Sequence, residues 1–335
     1  MIPAFLGLAG PTLGEAERGF FRSIDPAGYI LFKRNCVDRA QVRALTDELR
    51  SLSGRDDLPI LIDQEGGRVQ RMGPPEWPRL PAAEPFAKLY GKAPVSAMEA
   101  ARLNALAIAV MLREVGINVD CLPLLDVRRP DADAIIGDRA LGSDPMQVAA
   151  LGRLVIDGLR AGGVVGVVKH MPGHGRAMAD SHKELPIVEA SESELAEDVA
   201  PFVSLRDAPM GMTAHVIYTA WDKERCCSLS PIVIGQIIRG RIGFEGLLMS
   251  DDLGMHALSG GFGERAAGVI AAGCDIALHC SGDMGEMEAV AGALGSISKS
   301  SYERLLRAMA TVATAASSQD FEELVAQRDS LLALA

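Results

Sequence analysis

The stretch VVGVVKHMPGHGRAMADSH, residues 164–182, sets an apolar run against a loop dense in titratable groups. VVGVV has no polar alternation, the pattern of a strand buried on both faces as in parallel sheets. Lys169, His170, His174, Asp180 and His182 follow it, so the polar segment reads as the loop that leaves such a strand. Seven further short apolar runs recur at fairly regular intervals: IPAFLGL, GYILF, LPILID, INVDCLPLLDV, APMGMTAH, GLLMSD and CDIALHC.

Helical patterns separate these runs. The spacing predicts a helix over 39–53, with Val42, Leu45, Leu49 and Leu52 on one face, Asp38 as N-cap and Gly54 just past the end. A longer helix is expected to open at a capping box of Ser96 and Glu99 and to stop at Gly116. Two more are expected at Asp144-Pro145 and Ser230-Pro231, a capping residue followed by proline at the first helical position. Residues about 320 to 335 read as a closing amphipathic helix.

Eight strands alternating with helices predict a (β/α)8 TIM barrel as one domain over residues 1–335, with no internal repeat. The connections point the same way. Those entering strands are short and marked by Gly116, Gly162-Gly163 and Gly273, whereas those leaving strands are long, about Gln64 to Val95 and Val127 to Ser143. Long loops on one rim place the working face at the carboxyl ends of the strands.

Composition narrows the function classes. With 48% hydrophobic and 23% charged residues the chain is globular. A net charge of −11 and the lack of a basic block argue against general nucleic-acid binding. The start, MIPAFLGLAGPTLGE, is apolar without a positively charged leader, so a secretory signal is not expected, and no membrane-length apolar window is read. Six scattered cysteines without a C-x-x-C spacing suggest a reducing, cytoplasmic setting.

The strand ends carry Asp63, Asp126, Lys169, His170, His215 and the pair Asp251-Asp252. Such groups converging on one barrel rim make an active-site constellation, since unpaired charge beside an apolar core is costly. Asp252, just before LGMHAL, also reads as a simple cap or loop tie. The loop 169–182 admits three readings. His170, His174, Asp180 and His182 are all possible metal ligands, although their spacing matches no established zinc pattern. His174, between two glycines, reads more simply as a loop-shaping residue. His182 with Asp180 two positions earlier is an acid/base candidate, the carboxylate orienting the ring and favouring imidazolium.

The segments GYILFKRN, IDQEGGRVQR, LPLLDV, IIGDRALG, VVKHMPGHGRAMADSHKELP, MTAHV and GFEGLLMSDDLGM occur in an order that resembles glycoside hydrolase family 3, in its bacterial β-N-acetylhexosaminidases of the NagZ type. The KH-x-PGHG…DSH loop is the specific part, because family 3 β-glucosidases generally lack it and usually carry a second domain. Met171 stands where the family more often has Phe, and His279 in the last strand is unusual. The resemblance implies Asp251 as nucleophile, His182 as acid/base and Asp180 as its partner, with Asp63, Arg71, Arg139, Lys169 and His170 holding the sugar. It further implies an exo-acting, retaining enzyme without metal or cofactor. Its substrate would be GlcNAc linked to 1,6-anhydro-N-acetylmuramic acid, with or without peptide, in cytoplasmic peptidoglycan recycling. A family 3 β-glucosidase is the neighbouring alternative. A metal-dependent barrel hydrolase and a catalytically silent sugar-binding protein stand further off.

Overall fold

In the computed structural model, residues 1–129, 132, 135–181, 184–312 and 319–335 are described. Eight parallel strands close into a barrel: β1 (Ile2–Gly7), β2 (Pro26–Leu31), β3 (Ile60–Ile62), β4 (Val119–Asp120), β5 (Val165–Met171), β6 (Met210–Thr213), β7 (Leu247–Asp252) and β8 (Ile276–His279). Each pairs with its neighbours in chain order, and β8 returns to β1 through Phe5 and Leu278. All eight apolar runs are therefore barrel strands, and the (β/α)8 expectation holds.

Alternation along each strand divides the core in two. Phe5, Ile30, Leu61, Val119, Val165, Val167, Met210, Met249 and Ile276 fill the barrel, whereas their neighbours pack outward against the helices. Leu305, Ala308 and Met309 of the helix Lys299–Ala310 join the inner cluster and plug the amino-terminal end.

The helix Arg39–Ser53 forms as its pattern predicts: Asp38 accepts the Gln41 N–H, and Gly54 takes the left-handed conformation that ends it. The long helix departs from expectation. It runs Pro94–Glu114, starting two residues before Ser96 and without a side-chain cap. Proline at the first position supplies the start, since its missing N–H has no intrahelical acceptor there anyway. Glu99 pairs with Arg102 at 2.6 Å instead of closing a capping box. By length and composition this helix could cross a membrane, contrary to the sequence reading, yet 67% of its apolar window is buried inside the protein. It is a core helix, flanked by Pro145–Ala161 and by the terminal Phe321–Leu332. Ser230 Oγ accepts the Val233 N–H at 3.1 Å as expected of a cap, but the turns over Val233–Arg241 wind with the wider π pitch.

Candidate active site

At the carboxyl ends of the strands lies a cavity of about 220 Å³. That is smaller than the ~300–1,000 Å³ usual for drug-sized ligands, and suits a single ring. Phe32, Asp63, Glu65, Arg71, Arg139, Lys169, His170, His174, Ser181, Met212 and Asp251 are among the residues that line it.

Its charged wall is built by three loops. Lys169, at the end of β5, places Nζ 3.0 Å from Asp63 Oδ1 and 2.8 Å from Glu65 Oε1. Arg71 donates to Asp63 Oδ2 at 2.9 Å, and Arg139 holds Glu65 through two bonds of 2.8 Å. Burial alone would neutralise these groups. Their mutual attraction outweighs it: Lys169 and Arg71 hold Asp63 well below the carboxylate range, Lys169 and Arg139 lower Glu65, and the two carboxylates raise Lys169. Five ionised side chains are thus fixed in a rigid donor and acceptor array, suited to sugar hydroxyls. The guanidinium of Arg71 also lies 4.9 Å from the centre of the Phe32 ring.

Asp126 organises the turn that follows Lys169. Its Oδ2 lies 2.8 Å from His170 Nδ1, while its Oδ1 accepts the backbone N–H groups of His170 (3.2 Å) and His174 (2.7 Å). Against the effect of burial, His170 and His174 hold Asp126 down to about 2. With Nδ1 committed to the carboxylate, the orientation of the His170 ring is fixed. The glycines make this turn possible: Gly173 has φ +134°, and a Cβ on Gly175 would stand 1.9 Å from the Val127 carbonyl oxygen. His174 differs from the sequence reading, because the loop is shaped by its backbone N–H and not by its ring.

Asp251, on β7, is 6% exposed, and its Oδ1 accepts the Asp252 N–H at 2.8 Å. Asp252 also borders the cavity, but its Oδ1 is tied to the N–H groups of Gly254 and Cys280, both at 3.0 Å. His215 lies fully buried, its Nε2 3.0 Å from the Asp252 carbonyl oxygen and its Nδ1 bonded to Ser228 Oγ. Among the described residues no cluster of three or more His, Cys, Asp or Glu is arranged to hold a metal ion.

Of the residues named from sequence, Asp63, Arg71, Arg139, Lys169, His170 and Asp251 meet at this cavity. Asp180 is half-buried in the loop and precedes Ser181, which reaches the cavity. His182 lies outside the described residues. Glu65 was missed, and Asp126 was named only as a strand end. A signal for Glu65 existed: in extended backbone, here Gln64–Gly66, residues 63 and 65 point to one face.

Comparison with known proteins agrees with this arrangement. Residues 15–314 match the N-terminal domain of glycosyl hydrolase family 3. A Bordetella avium protein named beta-hexosaminidase is 37% identical over 284 residues, 83% of this chain and 80% of its own. The crystal structure of NagZ from Neisseria gonorrhoeae in complex with N-trifluoroacetyl-D-glucosamine superposes with a TM-score of 0.85 at 32% identity, covering 99% of this chain and 97% of the other. A family 3 β-N-acetylglucosaminidase from Paenibacillus sp. gives 0.85 at 31% identity, over 98% of this chain and 66% of that larger one. With a closed barrel, a carboxylate-lined cavity at its mouth and this likeness along nearly the whole length, the chain belongs to glycosyl hydrolase family 3 and is a glycoside hydrolase.

Proposed function

We propose that the protein is an exo-acting, retaining β-N-acetylglucosaminidase that removes terminal GlcNAc from GlcNAc-1,6-anhydro-N-acetylmuramic acid and its peptides during peptidoglycan recycling in the cytoplasm. The observation that carries this reading is the cavity itself: room for one ring, closed on its polar side by the Asp63–Lys169–Glu65–Arg139 array, with the Asp251 carboxylate in its wall. A cavity closed around one ring favours cleavage of a terminal sugar. The names of the relatives supply the N-acetylhexosamine class. The six cysteines carry free thiols, the state that a reducing compartment maintains.

In this scheme Asp63, Arg71, Arg139, Lys169 and His170 hold the sugar. A carboxylate oxygen of Asp251 attacks the anomeric carbon through an oxocarbenium-like transition state. The bond to the aglycone oxygen breaks, and that oxygen takes a proton from His182. A water molecule then attacks the glycosyl-enzyme and gives its proton to His182, and the Asp251 carboxylate is released. Asp180 orients His182. Two inversions at one carbon retain the β configuration. Most glycosidases use a second carboxylate as acid/base, but an imidazole with an intrinsic pKa of about 6.5 can both donate and accept near neutral pH.

The test has two parts. Hydrolysis of aryl β-N-acetylglucosaminide should exceed that of the plain β-glucoside by orders of magnitude, and a slow fluorinated substrate analogue should leave a glycosyl adduct on the peptide containing Asp251. Comparable rates on the glucoside would return the protein to the β-glucosidase alternative. An adduct on Asp252 would displace the assigned nucleophile.

A further inference from the structure

The His174 imidazole has no task in the scheme above, yet it lies in the wall of the same cavity, 3% exposed. Its Nδ1 is buried without a hydrogen-bond partner, and among the described residues none pairs with Nε2. A ring that lines a cavity with neither nitrogen bonded to a described residue is placed to take a partner from a ligand, and the nitrogen open to the cavity is the one a ligand can reach. On one side its ring meets His170 edge to face, with centroids 5.7 Å apart. On another it feels the negative charge of Asp251.

We infer that His174 hydrogen-bonds the 2-acetamido group of the bound sugar and sets the preference for N-acetylated substrates. The inference rests on the functional reading above, in which Asp251 faces the anomeric carbon and the Lys169–His170 side holds ring hydroxyls. The substituent between the anomeric carbon and the first of those hydroxyls is the one on C2. His174 packs beside His170 and shares the cavity wall with Asp251, which puts it on the side of that substituent in this scheme. The chemistry matches as well. An acetamido group offers one N–H and one carbonyl, and a neutral imidazole offers one acceptor and one donor. Burial, reinforced by His170, lowers His174 to about 4, so the ring is neutral at the pH of a cytoplasmic enzyme.

The test compares wild type, His174→Ala and His174→Gln on 4-nitrophenyl β-N-acetylglucosaminide and β-glucoside, with calorimetric binding of GlcNAc and glucose. His174→Ala should lower kcat/KM on the N-acetyl substrate by about 10- to 100-fold and weaken GlcNAc binding similarly, with the glucoside and glucose values within about threefold of wild type. His174→Gln, which keeps an N–H at comparable reach, should recover part of the loss. In the wild type, the 15N signals of the His174 ring should move on addition of GlcNAc and not of glucose, a measurement that needs no folded variant. If the wild type discriminates and both variants lose the same factor on the two substrates, His174 merely supports the His170 ring and the inference is overturned. If the wild type itself does not discriminate, the functional reading falls first.

Discussion

Both ends of the barrel bury carboxylates among arginines, and they do it differently. At the amino-terminal end Asp275 is 4% exposed, and all its acceptor positions are filled by the chain: Ser301 Oγ at 2.7 Å, Arg304 at 2.9 Å, Arg239 at 2.7 Å and the Leu248 N–H at 2.9 Å. The inner cluster with Leu305, Ala308 and Met309 packs at this end of the barrel. At the mouth, Glu65 and Lys169 are also buried and Asp63 nearly so, and all three are as well paired, but they wall a cavity of about 220 Å³ together with Asp251, His170 and His174. Charge that the chain satisfies completely serves the fold. Charge arranged around an open volume is held in place for something that enters it.

The largest contrast should come from removing one carboxylate at each end. Asp251→Ala should lower kcat/KM by on the order of 10⁴-fold or more on every substrate, as expected of the nucleophile in the proposed scheme, while the urea midpoint stays near wild type or rises. Asp275→Ala should do the reverse. Leaving Arg239 and Arg304 without their buried partner costs about 3–5 kcal/mol of stability, with turnover per folded molecule within about twofold of wild type. Activity lost at Asp275 without loss of stability would break the division between the two ends.

In the proposed scheme, His182 sharpens the contrast between binding and chemistry. A general acid contributes about 10²–10⁴ in rate, and the benefit depends on how basic the departing oxygen is. His182→Ala should therefore be severe on a natural disaccharide and much milder on a dinitrophenyl glycoside, which leaves nearly unaided. Asp180→Ala should show the same pattern more weakly, and Asp251→Ala none of it. Because kcat/KM reports the first irreversible step, slow water attack in the second step cannot disguise the difference. An equal loss on both substrates would make His182 a binding residue.

How much of this could be read from the chain depends on the range over which each feature is encoded. The barrel strands are local: each apolar run carries its own burial pattern, and the helix Arg39–Ser53 carries both of its ends in Asp38 and Gly54. The start of the next helix was misplaced because Ser96 and Glu99 mimic a cap while Pro94 does the work. The π winding of Val233–Arg241 left no mark in the sequence, because its cap looks like that of an ordinary helix. Glu65 escaped notice because its partner Arg139 is 74 residues away, and no periodicity reports such a pair. The family motif placed Lys169 and His170 at the site, whereas only the fold reveals that Asp126 holds their turn.

The smallest expected effect concerns Asp126, which shares a feature of each end: it is fully buried and tied by the chain, yet its partners face the cavity. In the folded protein it titrates at about 2 instead of 3.8, because His170 and His174 overcome the effect of burial. The folded state therefore binds this proton less readily than the unfolded chain. The resulting stabilisation is complete above about pH 4 and is lost as the pH falls from about 4 through 2. It amounts to about 2 kcal/mol, roughly 30-fold in the unfolding equilibrium. Asp126→Asn keeps the shape but carries no charge at any pH. Asp63 and Glu65 are also held low and remain in the variant, so the difference between the two proteins reports Asp126 together with its interaction with His170 and His174. Urea unfolding at pH 5 and at pH 2 should show the wild-type advantage over Asp126→Asn shrinking by that amount. Parallel loss of stability in both proteins would mean that the turn bearing His170 and His174 is held by its hydrogen bonds alone, and that the charge on Asp126 contributes nothing to it.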